Sequence, residues 1–341
     1  MSESTKEKPQ KVTTQRLTYM AFACKQMWAL LAAIELDLFS KIAEGANKLP
    51  QMAKSLELPQ DAVDKLVTAC VALELLEKRD DSYFNAPDVD RYLVRGRPSH
   101  YGDFLLWQAK TECEMWKDLG TAFRRPLSPV GLYHVVAMDA NMARVFAIAG
   151  YNSSIAAGRK LAREFDFSPY SLFLDLGGGS GCYSIAAAEG CPNLRAIVFD
   201  FPNMCVVAED FIAHAGLSDR IKTHAGDFTV DEFPRGADLV SSISNLHAYP
   251  PEEAERLIKK AFQAVAPGGA MIIIDYMLND DRAGPVEAAL RHLEGVASSS
   301  KRYVYSGAEI SELMRRVGFV DTVVSEFIPG SLGRVTAKKP K

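Results

Sequence analysis

The hydrophobic rhythm of the chain changes near residue 166. Upstream, apolar residues recur three and four apart, the spacing of helices. Downstream, short apolar runs alternate with helical segments in a strand–helix repeat. In the first part, Tyr19–Cys24 and Met27–Phe39 carry the helical pattern, and Gly45 is placed to close it as a C-cap. Leu49–Leu56 and Asp61–Leu76 read as a helix–turn–helix pair with Pro59 near the turn. Leu75–Asn85 reads as a strand, a polar turn and a strand, which completes a winged-helix pattern. Residues 100–160 are helical and dense in Phe104, Trp107, Met115, Trp116, Tyr133, Met138, Met142, Phe146 and Tyr151. Most of these are expected in packing and some in a small-molecule pocket.

The second part predicts strands at Leu172–Leu176, Ala196–Phe199, Ile221–His224, Leu239–Ile243, Met271–Tyr276, Thr322–Phe327 and Arg334–Ala337. The last two lie close across Ile328–Gly333, as an antiparallel pair would. Pro267–Gly269 is expected to stop the helix Pro251–Val265 ahead of the fifth strand. The domain reading is a disordered N-terminus (1–16), a winged-helix domain (17–99), a helical linker and pocket segment (100–165) and an α/β doubly wound domain (166–341).

Charge narrows the functions open to this pattern. A formal net charge of −4 supplies no basic field for nucleic acid or acidic membranes. The would-be recognition helix sets Asp61, Asp64 and Glu74 against Lys65 alone, whereas groove reading needs several cations facing phosphates. The apolar load of the first part exceeds what one small domain buries, so pairing with a second copy is expected. The six cysteines show no C-x-x-C pair and no zinc spacing, which fits reduced thiols and no metal site. Met1–Arg16 lacks an apolar leader core, and Met27–Phe39 is too short and too interrupted to span a bilayer, so a cytoplasmic protein is expected.

The candidate chemistry gathers at the carboxyl ends of the predicted strands, where open α/β sheets bind ligands. The first strand ends in Asp175-Leu-Gly-Gly-Gly-Ser-Gly181, a glycine turn into a helix that suits a nucleotide-like ligand. No Lys-Ser/Thr follows, and the third glycine of a dinucleotide fingerprint would fall at Cys182. The second strand ends in Asp200, placed to accept both hydroxyls of a ribose. The third ends in Asp227-Phe228, an acceptor for an exocyclic amine beside an aromatic cover. The fourth runs into Ser244-Asn-Leu-His247-Ala-Tyr249 and the fifth into Asp275. Single acids at such positions often cap helices; three in register with a glycine loop indicate a site.

With these motifs the chain resembles the class I S-adenosylmethionine-dependent methyltransferases of the winged-helix small-molecule type, which include plant phenolic and acetylserotonin O-methyltransferases. The resemblance runs from about Thr18 to Lys338 through Asn141-Met142, Asp175–Gly181, Asp200-Phe-Pro, Gly226-Asp-Phe, Leu246-His247, Pro267-Gly-Gly and Gly318-Phe319. It implies a Rossmann-like sheet with a C-terminal antiparallel hairpin, an N-terminal dimerisation domain and a small-molecule methyl acceptor. It also implies S-adenosylmethionine bound by Asp175, Gly177, Gly179, Gly181, Asp200, Asp227, Phe228 and Ser244. His247 would be the general base, oriented by Asp275; Asn141, Met142, Tyr151, Tyr249, Arg291 and His292 would face the acceptor.

Two departures from the family pattern bear on the acceptor. The usual His-Asp-Trp is His247-Ala248-Tyr249, and Ser298–Val304 lacks the family's second acid. S-methylation of a thioether acid is therefore the alternative, since a lone pair attacks with no proton to lose. His247, Arg291 and His292 would then hold the carboxylate, and Tyr249 or Tyr151 would shield the new sulfonium. Some relatives of this family S-methylate 4-methylthio-2-hydroxybutyrate on the way to dimethylsulfoniopropionate, a role with which the chain is compatible. An S-adenosylmethionine-sensing DNA-binding regulator is disfavoured by the acidic helix.

Overall fold

The computed structural model describes residues 12–97, 99–128 and 139–341; Tyr133, Met138 and the first eleven residues lie outside the described residues. The chain forms two compact units that divide after Gln108.

The first unit packs helices α1 (Gln15–Glu35), α2 (Leu38–Ala43), α3 (Leu49–Leu56), α4 (Gln60–Ala72) and α5 (Pro87–Tyr92) around a hairpin of β1 (Leu76–Arg79) and β2 (Ser82–Asn85). Its core holds Leu38, Phe39, Met52, Val67, Cys70 and Leu76. The apolar run through Phe39 is not one helix: Asp37 takes a left-handed φ of 59° and restarts the chain as α2, while Gly45 turns at φ 102° as expected. The second helix of the pair also stops short, at Ala72. Glu74 at φ 59° reverses the chain so that Leu76 can pair with Asn85 and bury itself, which removes Glu74 from the helix. On the exposed side of α4, Lys65 lies 3.3 Å from Asp61, so that cation is already paired. Along α1 only Leu31, Ala33 and Ile34 are buried; Leu17, Tyr19, Met20, Phe22 and Trp28 are exposed.

In the second unit, α6 (Gly102–Trp116) runs in across the boundary, followed by α7 (Leu119–Ala122) and α8 (Ala140–Glu164). A seven-stranded sheet follows, in the order β5 (Ile221–Ala225), β4 (Arg195–Asp200), β3 (Leu172–Leu176), β6 (Ala237–Ile243), β7 (Val265–Tyr276), β9 (Leu332–Lys338) and β8 (Val320–Ile328). The first five strands are parallel, and β9 and β8 are antiparallel, as the close spacing at the C-terminus predicts. Chain direction across the sheet reverses between β3 and β6, the switch point where ligands of such folds settle. The helices between strands are α9 (Cys182–Gly190), α10 (Pro202–His214), α11 (Pro251–Ala264), α12 (Val286–Ala297) and α13 (Gly307–Arg316). Pro267–Gly269 does not precede the fifth strand but sits within it, at a register shift opposite Ala237 and Leu239. A Cβ on Gly269 would stand 2.6 Å from the Asp238 carbonyl, which explains the glycine.

Candidate active site

At the switch point the glycine loop is built from below by Asp175. Its two carboxylate oxygens accept from Ser241 Oγ at 2.7 Å and Ser184 Oγ at 2.9 Å, and the residue is 1% exposed. Burial pushes its carboxyl up, partly offset by the two hydroxyls. Asp175 thus shapes the loop from inside and does not line the site. A Cβ on Gly178 would meet its carboxylate at 2.9 Å. Gly177, Gly179 and Gly181 take φ of 65°, 58° and 74°, a backbone region that disfavours any side chain. A Cβ on Gly179 would find nothing nearer than Met204 at 3.9 Å, so the loop leaves a cradle there.

Asp200 closes one side of this cradle. Its Oδ2 accepts from the Gly179 amide at 2.7 Å and its Oδ1 from the Phe201 amide at 2.7 Å. Burial raises its carboxyl to about 6 against these two bonds. A carboxylate offers about four acceptor positions, so two remain for a vicinal diol. Asp227 is half-buried and accepts from the Thr229 amide and hydroxyl. Lys260 and Arg256 of α11 donate to the carbonyls of Phe228 and Thr229 and hold that loop. Phe228 is not an open aromatic cover. It is 7% exposed, in the core, between Phe233 and the stacked ring of Tyr249. Tyr249 thus packs on the aromatic that follows Asp227.

The fourth strand ends in strain. Ser244 takes a left-handed φ of 53° while its amide still bonds Ile274, so the observed part it plays is a backbone turn. That turn launches a short 3₁₀ helix, Leu246–Ala248, carrying His247. His247 is 1% exposed; its Nδ1 lies 2.6 Å from Asp275 Oδ1, and its amide donates to Asp275 Oδ2 at 3.0 Å. A carboxylate only accepts, so Nδ1 carries the proton and Nε2 the lone pair. Tyr276 presents its ring edge-on to the imidazole at 5.3 Å, and the Tyr303 amide donates to the His247 carbonyl.

The remaining acceptor candidates are not brought together as expected. Arg291 pairs with Glu294 at 3.0 Å and Glu112 at 3.6 Å, with its guanidinium over Tyr276. His292 accepts the Val304 amide at Nδ1, and burial lowers its pKa. Both side chains are spent on the fold, so no cationic clamp for a carboxylate forms there. Tyr151 stacks on Phe211 of α10 at 4.1 Å. Asn141 is exposed and Met142 half-buried at the start of α8, whose Ala143 and Ala147 pack against Met204 and Val207 on the Asp200 side of the sheet.

Two contributors escaped the sequence reading. Asn245 donates from Nδ2 to the Leu176 and Gly177 carbonyls at 2.9 and 3.2 Å. Glu294, buried in α12, pairs with Arg302 at 2.6 Å in the segment that lacks the second acid. An Asn just past a strand end and a Glu on an apolar helix face were the available signals. Among the described residues no group of three His, Cys, Asp or Glu is gathered for a metal ion.

Comparison with known proteins identifies the family. The sequence profile of the O-methyltransferase domain matches residues 116–320, and that of the O-methyltransferase dimerisation domain matches residues 19–95. The chain is 32% identical over 331 residues to a 3-hydroxy-5-methyl-1-naphthoate 3-O-methyltransferase of Streptomyces sahachiroi, covering 95% of this chain and 94% of that protein. It is also 32% identical over 316 residues to an L-tyrosine C(3)-methyltransferase of Streptomyces lavendulae, covering 89% and 86%. The human N-acetylserotonin methyltransferase structure, in complex with S-adenosylmethionine, superposes with a TM-score of 0.85 at 24% identity over 98% of this chain and all of the other, a likeness of fold.

Proposed function

The chain belongs to the O-methyltransferase family and is a small-molecule methyltransferase; from that premise we propose that it methylates a hydroxyl group with His247 as general base and S-adenosylmethionine as donor. The buried His247–Asp275 pair carries this reading. The donor, when bound, supplies a methyl group already activated by a sulfonium. Gly177, Gly179 and Gly181 would pass its amino-acid end, Asp200 would accept from its ribose, and Asp227 from its adenine. The cradle over Gly179 and the lone pairs left on Asp200 fit such a ligand.

A hydroxyl is a weak nucleophile until its proton leaves, and an imidazole near neutrality suits that removal. Nε2 takes the proton, and Asp275 stabilises the imidazolium that results. Positioning supplies much of the remaining acceleration of an in-line displacement. The thioether alternative gains nothing from the structure, because Arg291 and His292 are occupied within the fold. One relative by name methylates carbon, so the acceptor atom is the point to test.

The protein acts as a cytoplasmic homodimer in this reading. The dimerisation profile covers α1 from Tyr19 onward, and the exposed apolar stripe of this helix is a face for a second copy. By length and composition α1 also meets the requirement for a membrane span, but its place in that profile favours pairing. All six cysteines are free, as in a reducing compartment.

Transfer from labelled S-adenosylmethionine to phenols, hydroxy acids, amines and thioethers tests the proposal. A hydroxylated acceptor whose rate rises with pH is expected. Preferred transfer to a thioether, at a rate indifferent to pH, would overturn the general-base role.

A further inference from the structure

We infer that Asn245 is a positioning residue that fixes the glycine loop relative to the base, an assignment that rests on the methyltransferase reading above. Asn245 stands between the two halves of the site. Its backbone opens the 3₁₀ turn that carries His247, two residues on. Its side chain crosses to the first strand, where one Nδ2 serves the carbonyls of both Leu176 and Gly177.

The fit is tight. A Cβ on residue 177 would stand 2.2 Å from Asn245 Nδ2 and 2.8 Å from its Cγ, so any side chain at 177 would displace Asn245. On the far side of the same turn, His247 is held to Asp275 by its amide and its Nδ1. The turn is therefore pinned to the donor loop at one end and to the carboxylate at the other. The left-handed Ser244 gives the chain the direction that lets Asn245 reach the loop. In-line transfer depends on where the donor stands relative to the base, and displacements near 1 Å cost orders of magnitude. Asn245 sets that distance without touching the reacting atoms.

The test uses the full-length protein, with donor affinity by calorimetry and steady-state rates across pH. Asn245→Asp keeps the shape but sets an oxygen against two carbonyl oxygens. It should lower kcat and weaken donor affinity by about 10-fold each, the scale of a lost hydrogen-bonded donor. The acceptor KM should stay at its wild-type value, because no group facing the acceptor is changed. Gly177→Ala should cost less in an Asn245→Ala background than in the wild type, because the overlap disappears; this pair also answers the question if Asn245→Asp fails to fold. Wild-type kinetics in Asn245→Asp, or equal cost of Gly177→Ala in both backgrounds, would overturn the assignment. A wild-type protein that binds no donor would instead overturn the methyltransferase reading beneath it.

Discussion

Both carboxylate oxygens of Asp275 are committed to His247, Oδ1 to its ring at 2.6 Å and Oδ2 to its amide at 3.0 Å. One acid therefore fixes the tautomer, the ring plane and the backbone of the base together. His247→Ala should lower kcat by ~10²–10⁴ with donor affinity unchanged. Asp275→Asn, which can present an NH₂ to Nδ1 and so favour the wrong tautomer, should lose a comparable factor. Calorimetry and steady-state rates check both. A variant retaining near wild-type turnover would remove the pair from the chemistry.

If Asp200 accepts from the donor, binding is expected to be sensitive to acid. Burial raises its carboxyl from 3.8 to about 6, so the folded chain holds this proton more tightly than the unfolded chain. By linkage its contribution to stability is full below the unfolded value and is lost as pH rises through about 6. Two ribose hydroxyls need the ionised form as acceptor. Donor affinity should therefore fall as pH drops below about 6, and Asp200→Asn should bind weakly and with no such dependence. The melting midpoint of Asp200→Asn relative to wild type should rise with pH over the same interval. A wild-type affinity flat from about pH 5 to 8 would remove Asp200 from the donor site.

How much was legible beforehand follows from the range of the forces involved. The strands could be read because β-branched runs punctuated by glycine are local signals; the antiparallel β9–β8 pair followed from one short connection. The sequence also named residues at the strand ends, but not the direction in which they point. Asp175 turns inward because Ser184 and Ser241 meet it from nine and 66 residues away. Phe228 is buried because Tyr249 and Phe233 close over it. Arg291 was expected on a ligand and is instead held by Glu112 and Glu294, which converge on it. Such partnerships lie between distant elements, where periodicity carries no information.

The exposed stripe of α1 predicts the oligomeric state. Tyr19, Phe22 and Trp28 are about half exposed or more in the single chain, so replacing them costs the fold little. Aromatic residues at the centre of an interface typically contribute ~2 kcal/mol or more each. Phe22→Glu with Trp28→Glu should weaken self-association by roughly 10²–10³-fold, seen as monomer in sedimentation velocity with an unchanged circular dichroism spectrum. A dimer that persists at micromolar concentration would place the interface elsewhere.

Glu294 separates structural support from catalysis. It is 4% exposed, takes Arg302 at 2.6 Å and Arg291 at 3.0 Å, and so anchors the segment whose Tyr303 amide bonds the His247 carbonyl. Glu294→Gln would leave two guanidinium groups facing a neutral amide. Breaking a buried pair in this way costs about 3–5 kcal/mol, a midpoint lowered on the order of 10 °C in a unit of this size. Because Glu294 reaches His247 only through backbone, kcat measured well below the new midpoint should stay within about 3-fold of wild type, less than one hydrogen bond's worth of transition-state binding. Loss of kcat as large as that of Asp275→Asn would instead make Glu294 the second acid of the base, supplied from α12 in place of the acid-free Ser298–Val304 segment.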